Sequence, residues 1–284
     1  MTLPVWARPH YQRPSARRAR LGFVVLLDDP RLDDALAQAA EEIADEQAWG
    51  ALSIEQVVRG NDGGRFDEAL AGRAAMYLEG RDPHEQHEVA RCQKYALIEA
   101  DTPDPADLRV LGAAVATVRA LAREGNLLLA LDRVTARWWS PAELHALAVD
   151  RPFDVDEHAQ VVVEAIERTP GAGHLVRSRG LEKFARPDVG GRAPRRETSS
   201  ISELVRDVAR LLAEGHEVHP GDRLRVPDLP PLTLVPRTED CLQDAPAASA
   251  PLYELRDLLP NGPGPDLTAL LAALRPKPRL KVLK

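Results

Sequence analysis

Residues 21–29, LGFVVLLDD, form an unbroken apolar run closed by two acids. A run without polar alternation suits a strand covered on both faces. Asp29 and Pro30 then supply a helix N-cap and a first helical position. Leu32, Leu36, Ala39 and Ile43 recur at helical spacing, Gly50 offers a stop, and ALSIEQVV (51–58) reads as a returning strand. The same order recurs downstream. QKYALIEAD (93–101) is a strand, and Asp104-Pro105 with Asp107 starts a helix. Leu108, Leu111, Val115, Val118 and Ala122 make its apolar stripe, Gly125 closes it, and NLLLALD (126–132) is the next strand. The pattern predicts two strand–helix–strand units, each with an acidic turn between strand and helix. A right-handed crossover lets the two strands of each unit run parallel in one sheet.

The segment between the units, 60–92, is polar. GNDGG (60–64) is a turn, FDEALAGRAAMYLEG a short helix, and DPHEQHEVARC an exposed loop or helix. After the second unit, Ser140, Pro141 and Glu143 form a capping box. Adjacent Trp138 and Trp139 on a strand point to opposite faces, one toward the core and one toward a surface or interface. Residues 159–184 fit either a helix, with Ala159, Val162, Val163 and Ile166 as its stripe, or a β-hairpin. Three consecutive valines and a TPGAG turn favour the hairpin. Ser200 with Glu203 caps a helix with Leu204, Val205, Val208, Leu211 and Leu212 as its stripe and Gly215 at its end. RLRV (223–226) adds a last strand. Eleven of the 24 prolines fall in 227–284, leaving room for one short helix, PDLTALLAAL (265–274). The expected fold is therefore α+β: a mixed sheet built from two strand–helix–strand units, a later hairpin and helix, and a proline-rich C-terminal arm. The expected division is a basic flexible tail at 1–20, a globular domain at 21–226 and an extension at 227–284.

Composition narrows the function classes. At 284 residues and 44% hydrophobic content the chain supports a large core. No run of 18 apolar residues exists, so no membrane span is expected, and the N-terminus lacks the apolar centre of a secretory signal. Cys92 and Cys241 stand far apart without metal spacing, which points to a reduced, cytoplasmic compartment. Only five of 37 basic residues are lysine, a bias that suggests a GC-rich bacterial genome. The net charge of −7 is unevenly spread. Residues 1–20 and 275–284 each carry five basic residues and no acid, so 21–274 sums to −17. An acidic body argues against nucleic acid as a partner, while basic ends are able to meet an acidic partner or the body itself.

Chemical motifs are sparse. No phosphate-binding loop, nucleophile elbow or dinucleotide fingerprint occurs. His84, Glu85, His87, Glu88 and Cys92 include two imidazoles one helical turn apart, but the spacing is not that of a zinc protease helix. His216 and His219 flank a Pro-Gly-Asp turn that explains the segment without a metal. Asp28–Asp29 and Asp101–Asp104 sit where strand-end carboxylates can hold Mg²⁺, though Asp29 and Asp104 also read as helix caps. No metal and no cofactor is expected. The densest chemistry lies in HLVRSRGLEKFARPDVGG (174–191). On a strand, Leu175, Arg177, Arg179, Leu181 and Lys183 share one face and His174, Val176, Ser178, Gly180, Glu182 and Phe184 the other. Arg177 and Arg179 side by side can grip a carboxylate or phosphate. Gly180 marks a bulge or a close backbone approach, and Pro187 stops the strand. The candidate binding residues are His174, Arg177, Arg179, Lys183 and Asp188.

RSRGLEKFARPDV resembles the T-R-G-x-x-x-F-G-x-P-D strand of an uncharacterised bacterial domain-of-unknown-function family, the one numbered forty-two sixty-one. Ser178 stands at the Thr position and Ala185 at the second Gly position. The order of elements over about 21–226 is similar too. The resemblance implies an α+β fold and carries no known activity or catalytic residue.

Two functions remain open from sequence. The first is a non-enzymatic, cytoplasmic bacterial interaction or accessory module, of which an immunity protein is one version, masking a basic protein partner by charge. The second is an enzyme on a small anionic substrate held by Arg177 and Arg179, with His174 and a strand-end acid. The balance of motifs leans away from the enzyme. The partner and the oligomeric state stay open.

Overall fold

From Leu21 onward every residue of β1 (Arg18–Leu27) is buried. The apolar run is a central strand, with β3 (Lys94–Pro103) on one side and β4 (Leu127–Asp132) on the other, both antiparallel to it. The computed structural model describes residues 6–27, 32–43, 45–62, 64–124, 127–147, 153–165, 174–193, 195, 198–217, 223–224, 232–236 and 252–257. β2 (Ser53–Val58) pairs with β3 and β5 (Arg137–Trp139) with β4, again antiparallel, giving the order β2-β3-β1-β4-β5. β1 and β2 therefore run in the same direction, as do β3 and β4. Each expected pair is separated by a strand of the other unit, so every hydrogen-bonded neighbour is antiparallel. This is the split β-α-β arrangement, β-α-β-β-α-β in chain order.

Both sheet faces are covered. α1 (Leu32–Glu42), α2 (Glu46–Gly50) and α6 (Arg109–Glu124) belong to the crossovers, and Ile43, Ala48, Ala113 and Ala116 pack together there with Trp49 and Leu52. The polar segment supplies the opposite cover with α3 (Arg65–Leu70), α4 (Arg73–Leu78) and α5 (Pro83–Arg91). Its Phe66, Ala74 and Val89 close over Val24, Leu26, Val57, Tyr95, Leu97, Leu129, Leu131 and Trp138. Strand alternation sends Phe23, Val25 and Leu27 to the other face. Both tryptophans are buried, against the expectation of one at a surface. Trp138 donates its indole N–H to the Ala74 carbonyl at 2.8 Å, and the Arg137 guanidinium covers Trp139 at 3.7 Å. Two more short helices follow, α7 (Pro141–Ala146), started by the capping box of Ser140 and Glu143, and α8 (Val155–His158).

The remaining strands form a second sheet rather than an extension of the first. β6 (Gln160–Ala165) and β7 (His174–Arg179) are the expected hairpin. β8 (Asp188–Ala193) follows beside β7. β9 (Arg223–Leu224), β10 (Leu232–Pro236) and β11 (Leu252–Asp257) complete the order β6-β7-β8-β11-β10-β9, with β11 parallel to β8. Two of these strands lie in the proline-rich region expected to hold only one helix, whose residues 265–274 fall outside those described. α9 (Thr198–Ala213) starts two residues before Ser200, and its buried stripe is Ile201, Leu204, Val205, Val208, Ala209 and Leu212. Leu211, expected in that stripe, is exposed and Ala209 takes its place.

The chain divides into two compact units. Unit 1 comprises Met1–Ala159, Gly180–Arg186 and Ala213–His216, and unit 2 comprises Gln160–Arg179, Pro187–Leu212 and Glu217–Lys284. Residues 6–20 are no flexible tail. Trp6 is 2% exposed, its carbonyl accepts from the Leu108 amide, and Ala7 bridges to Asp107. No helix among the described residues is long and apolar enough to cross a membrane.

Candidate functional site

The five candidate residues are divided between the two units. His174, Arg177, Arg179 and Asp188 belong to unit 2, and Lys183 to unit 1. β7 ends at Arg179 because Gly180 adopts φ +114°, beyond the reach of an L side chain, and the chain turns into a short 3-10 helix, Leu181–Phe184. The strand expected to run to Pro187 is thus cut short. A Cβ at Gly180 would lie 2.8 Å from the His158 carbonyl oxygen and from the Thr135 methyl, the close approach read from the sequence.

In unit 2 the arginine pair does grip a carboxylate, and the carboxylate is the chain's own. Arg177 donates to Glu164 Oε1 from Nη2 at 2.6 Å and Nε at 3.2 Å, and Arg179 from Nη2 at 3.1 Å. Glu164 faces Leu175 across the β6–β7 ladder, which puts it on the arginines' side of the sheet. Gly190 faces Arg177 in the next strand, and a Cβ there would fall 2.8 Å from the Arg177 Cβ. On the other face of β7, the Ser178 hydroxyl donates to Asp188 at 3.0 Å and accepts from the Val189 amide at 2.9 Å, tying β7 to β8. His174 Nδ1 lies 2.8 Å from the Thr198 hydroxyl at the start of α9, away from the arginines. Asp188 is therefore a brace, and His174 is held by a different partner.

Unit 1 buries two further charged clusters. The Lys183 ammonium is fully enclosed; it donates to an Asp132 carboxylate oxygen and, at 2.7 Å, to the His158 carbonyl. Asp132 uses its other oxygen to accept from the Val134 and Thr135 amides, shaping the β4–β5 turn. His158 sits beside Trp6, ring centroids 5.3 Å apart, and its Nε2 is buried without a hydrogen-bond partner. Burial, then the positive charges of Lys183 and Arg137, push its pKa down to about 3. Lys183 is thus a bolt between the β4–β5 turn and the end of α8, which removes it from the candidate binding set.

The second cluster centres on Asp104, read from sequence as a helix cap. Asp107 caps instead, accepting from the Arg109 amide. Asp104 Oδ1 accepts from Arg8 Nη1 at 2.7 Å; Oδ2 accepts from Arg186 Nη1 at 2.7 Å and from the Ser15 amide at 2.8 Å. Arg8 also donates to the carbonyls of Ala213, Pro105 and Phe184, and Arg186 to those of His216 and Gly215. Burial alone would raise the Asp104 carboxyl, but the bonds from Arg186, Ser15 and Arg8 outweigh it and hold the group below its usual range. Desolvation lowers Arg8, offset in part by its bond to Asp104.

Of the remaining titratable candidates, Cys92 is buried in the core and His84 and His87 are exposed. Glu85 pairs with Arg81 and Glu88 with Arg91, while the buried Cys92 thiol donates to the Lys94 carbonyl. His216 stacks on His10 at 4.2 Å; His219, Asp28 and Asp29 lie outside the described residues. Asp101 pairs with Arg18. Among the described residues no group of three or more histidine, cysteine or acidic side chains could hold a metal ion. Sequence reasoning missed Glu164, Asp132, Arg8 and Arg186. The one available signal was Trp6, two residues before Arg8, an apolar anchor inside a stretch taken for a solvated tail. Compared with family models, curated proteins and solved structures, the chain finds no match.

Proposed function

We propose that the protein is a non-enzymatic interaction or accessory module of the bacterial cytoplasm, of the immunity type, that holds a basic protein through its acidic surface. The observation that carries this reading is the stretch 32–58, which has seven acids and no basic residue. Asp33, Asp34, Glu41 and Glu46 of that stretch are exposed on α1 and α2. The basic residues of the interior are at the same time committed to internal partners: Arg177 and Arg179 to Glu164, Lys183 to Asp132, Arg186 to Asp104. α1 and α2 thus present a surplus of carboxylates, the distribution that steers a cationic partner and repels nucleic acid. An enzyme on a small anion would want an acid or base at liberty beside Arg177 and Arg179; Glu164 is paired with both arginines, and His174 is engaged with Thr198.

The test is affinity capture with the purified protein, followed by binding of the captured partner at two salt concentrations. A basic partner is expected, with affinity falling as salt rises. The quadruple variant Asp33→Lys, Asp34→Lys, Glu41→Lys, Glu46→Lys should lose roughly tenfold or more in affinity, mostly through a slower on-rate. A partner that ignores both salt and the charge reversals would sink the reading. Kinship with the family numbered forty-two sixty-one is part of the same proposal. Its pattern places glycine where Ala185 stands, and the Ala185 backbone is left-handed, φ +53°, the conformation glycine favours.

A further inference from the structure

Of Arg177, Arg179 and Glu164, which meet between β6 and β7, Glu164 is by far the most exposed. Its side chain is 33% exposed, against 7% for Arg177 and 6% for Arg179. The arginines are fixed from below: Arg177 lies across Gly190 with no room for a Cβ, and the Ser178–Asp188–Val189 bonds set the strand that carries both. Glu164 has no comparable constraint, since its carboxylate can turn to water at little cost in desolvation. The fit between the three is also uneven. Three N–H groups, two from Arg177 and one from Arg179, converge on the single oxygen Oε1. A carboxylate oxygen offers two lone-pair directions, so three donors crowd it.

We propose that Arg177 and Arg179 form a phosphate-binding site whose resident occupant is Glu164. An incoming phosphate group takes the place of the carboxylate, which swings outward. A tetrahedral phosphate spreads the three donors over separate oxygens, which a single carboxylate oxygen cannot do. The exchange breaks no covalent bond, and the guanidinium forks are already in position when the anion arrives. Glu164 makes the site self-closing: at low phosphate the arginines stay paired and hidden, and above a threshold set by competition with Glu164 they open. This inference stands apart from the acidic-surface reading, and either can fail while the other holds.

The experiment compares wild type, Glu164→Ala, Glu164→Gln and Glu164→Ala/Arg177→Ala by circular dichroism for folding and by titration calorimetry for binding. The probes are inorganic phosphate and glycerol phosphate, with chloride at matched ionic strength as control. Removing the internal competitor should tighten phosphate binding by roughly tenfold in Glu164→Ala relative to wild type. Glu164→Gln, which keeps the shape and drops the charge, should also gain, and the double variant should lose the gain. Binding of both probes identifies a site for phosphomonoesters, and binding of inorganic phosphate alone a site for the free ion. Equal response to phosphate and chloride in the folded Glu164 variants overturns the proposal, as does a gain that survives Arg177→Ala. Failure of both Glu164 variants to fold overturns it too, because Glu164 would then be a brace that cannot leave.

Discussion

Lys183 and His158 show how much one buried side chain can govern. The Lys183 ammonium has no access to water and is held by Asp132 and the His158 carbonyl. Lys183→Met should cost about 3–5 kcal/mol, because it strands the Asp132 carboxylate. Adding Asp132→Asn to it should cost less than the sum of the singles, since the amide keeps an oxygen for the Val134 and Thr135 amides. All four tryptophans, Trp6, Trp49, Trp138 and Trp139, lie in unit 1, so urea denaturation followed by their fluorescence reports on that unit. His158 sets a pH dependence of definite sign. Its folded pKa, about 3, lies below the unfolded value near 6.5, so the unfolded chain takes up a proton that the folded chain refuses. This contribution to stability is complete above pH 6.5 and drains away as pH falls. Between pH 7 and pH 5 unit 1 should lose about 2 kcal/mol from this group, and His158→Phe, which keeps a ring beside Trp6, should lose that much less. An unchanged slope in the variant would show that His158 is not the titrating group.

At the scale of the element, the turn from Gly180 to Ala185 holds two left-handed residues with opposite prospects. Gly180→Ala forces a side chain into φ +114° and against the His158 carbonyl, and should cost on the order of 2–4 kcal/mol. Ala185→Gly relieves an L residue of its left-handed conformation and should stabilise by up to about 1 kcal/mol, net of the greater freedom of glycine in the unfolded chain. Denaturant midpoints of the two variants, moving in opposite directions, check both. The strands were legible because continuous apolar runs such as 21–27 and 127–131 have no other economical home than a doubly covered sheet. Their interleaving was not legible, because adjacent parallel strands and split antiparallel ones bury the same side chains. The arginine pair was legible from its alternate spacing. Its occupant was not, because Glu164 comes within reach only through the β6–β7 register, which places it opposite Leu175. Asp104 was misread for a related reason: an Asp before a Pro and a helix fits a cap locally, and only the tertiary fold brings Arg8 and Arg186 to it.

For the whole molecule, Trp6 and Arg8 are structural. Deleting residues 1–8 removes Trp6 from the interior and Arg8 from Asp104 and three carbonyls, and should cost unit 1 at least about 3 kcal/mol in the same fluorescence-detected unfolding. A fragment ending at residue 159 should fare worse, because unit 1 also needs Gly180–Arg186 and Ala213–His216, the source of Lys183 and Arg186. The split arrangement of the first sheet reaches further, into biosynthesis. β1 ends at Leu27, and the strands that bond to it begin only at Lys94 and Leu127. A nascent chain leaving the ribosome therefore presents its most apolar segment long before either neighbour has been translated. A chaperone that shields hydrophobic segments near the exit tunnel should engage this chain early and release it once the strand beginning at Lys94 has emerged.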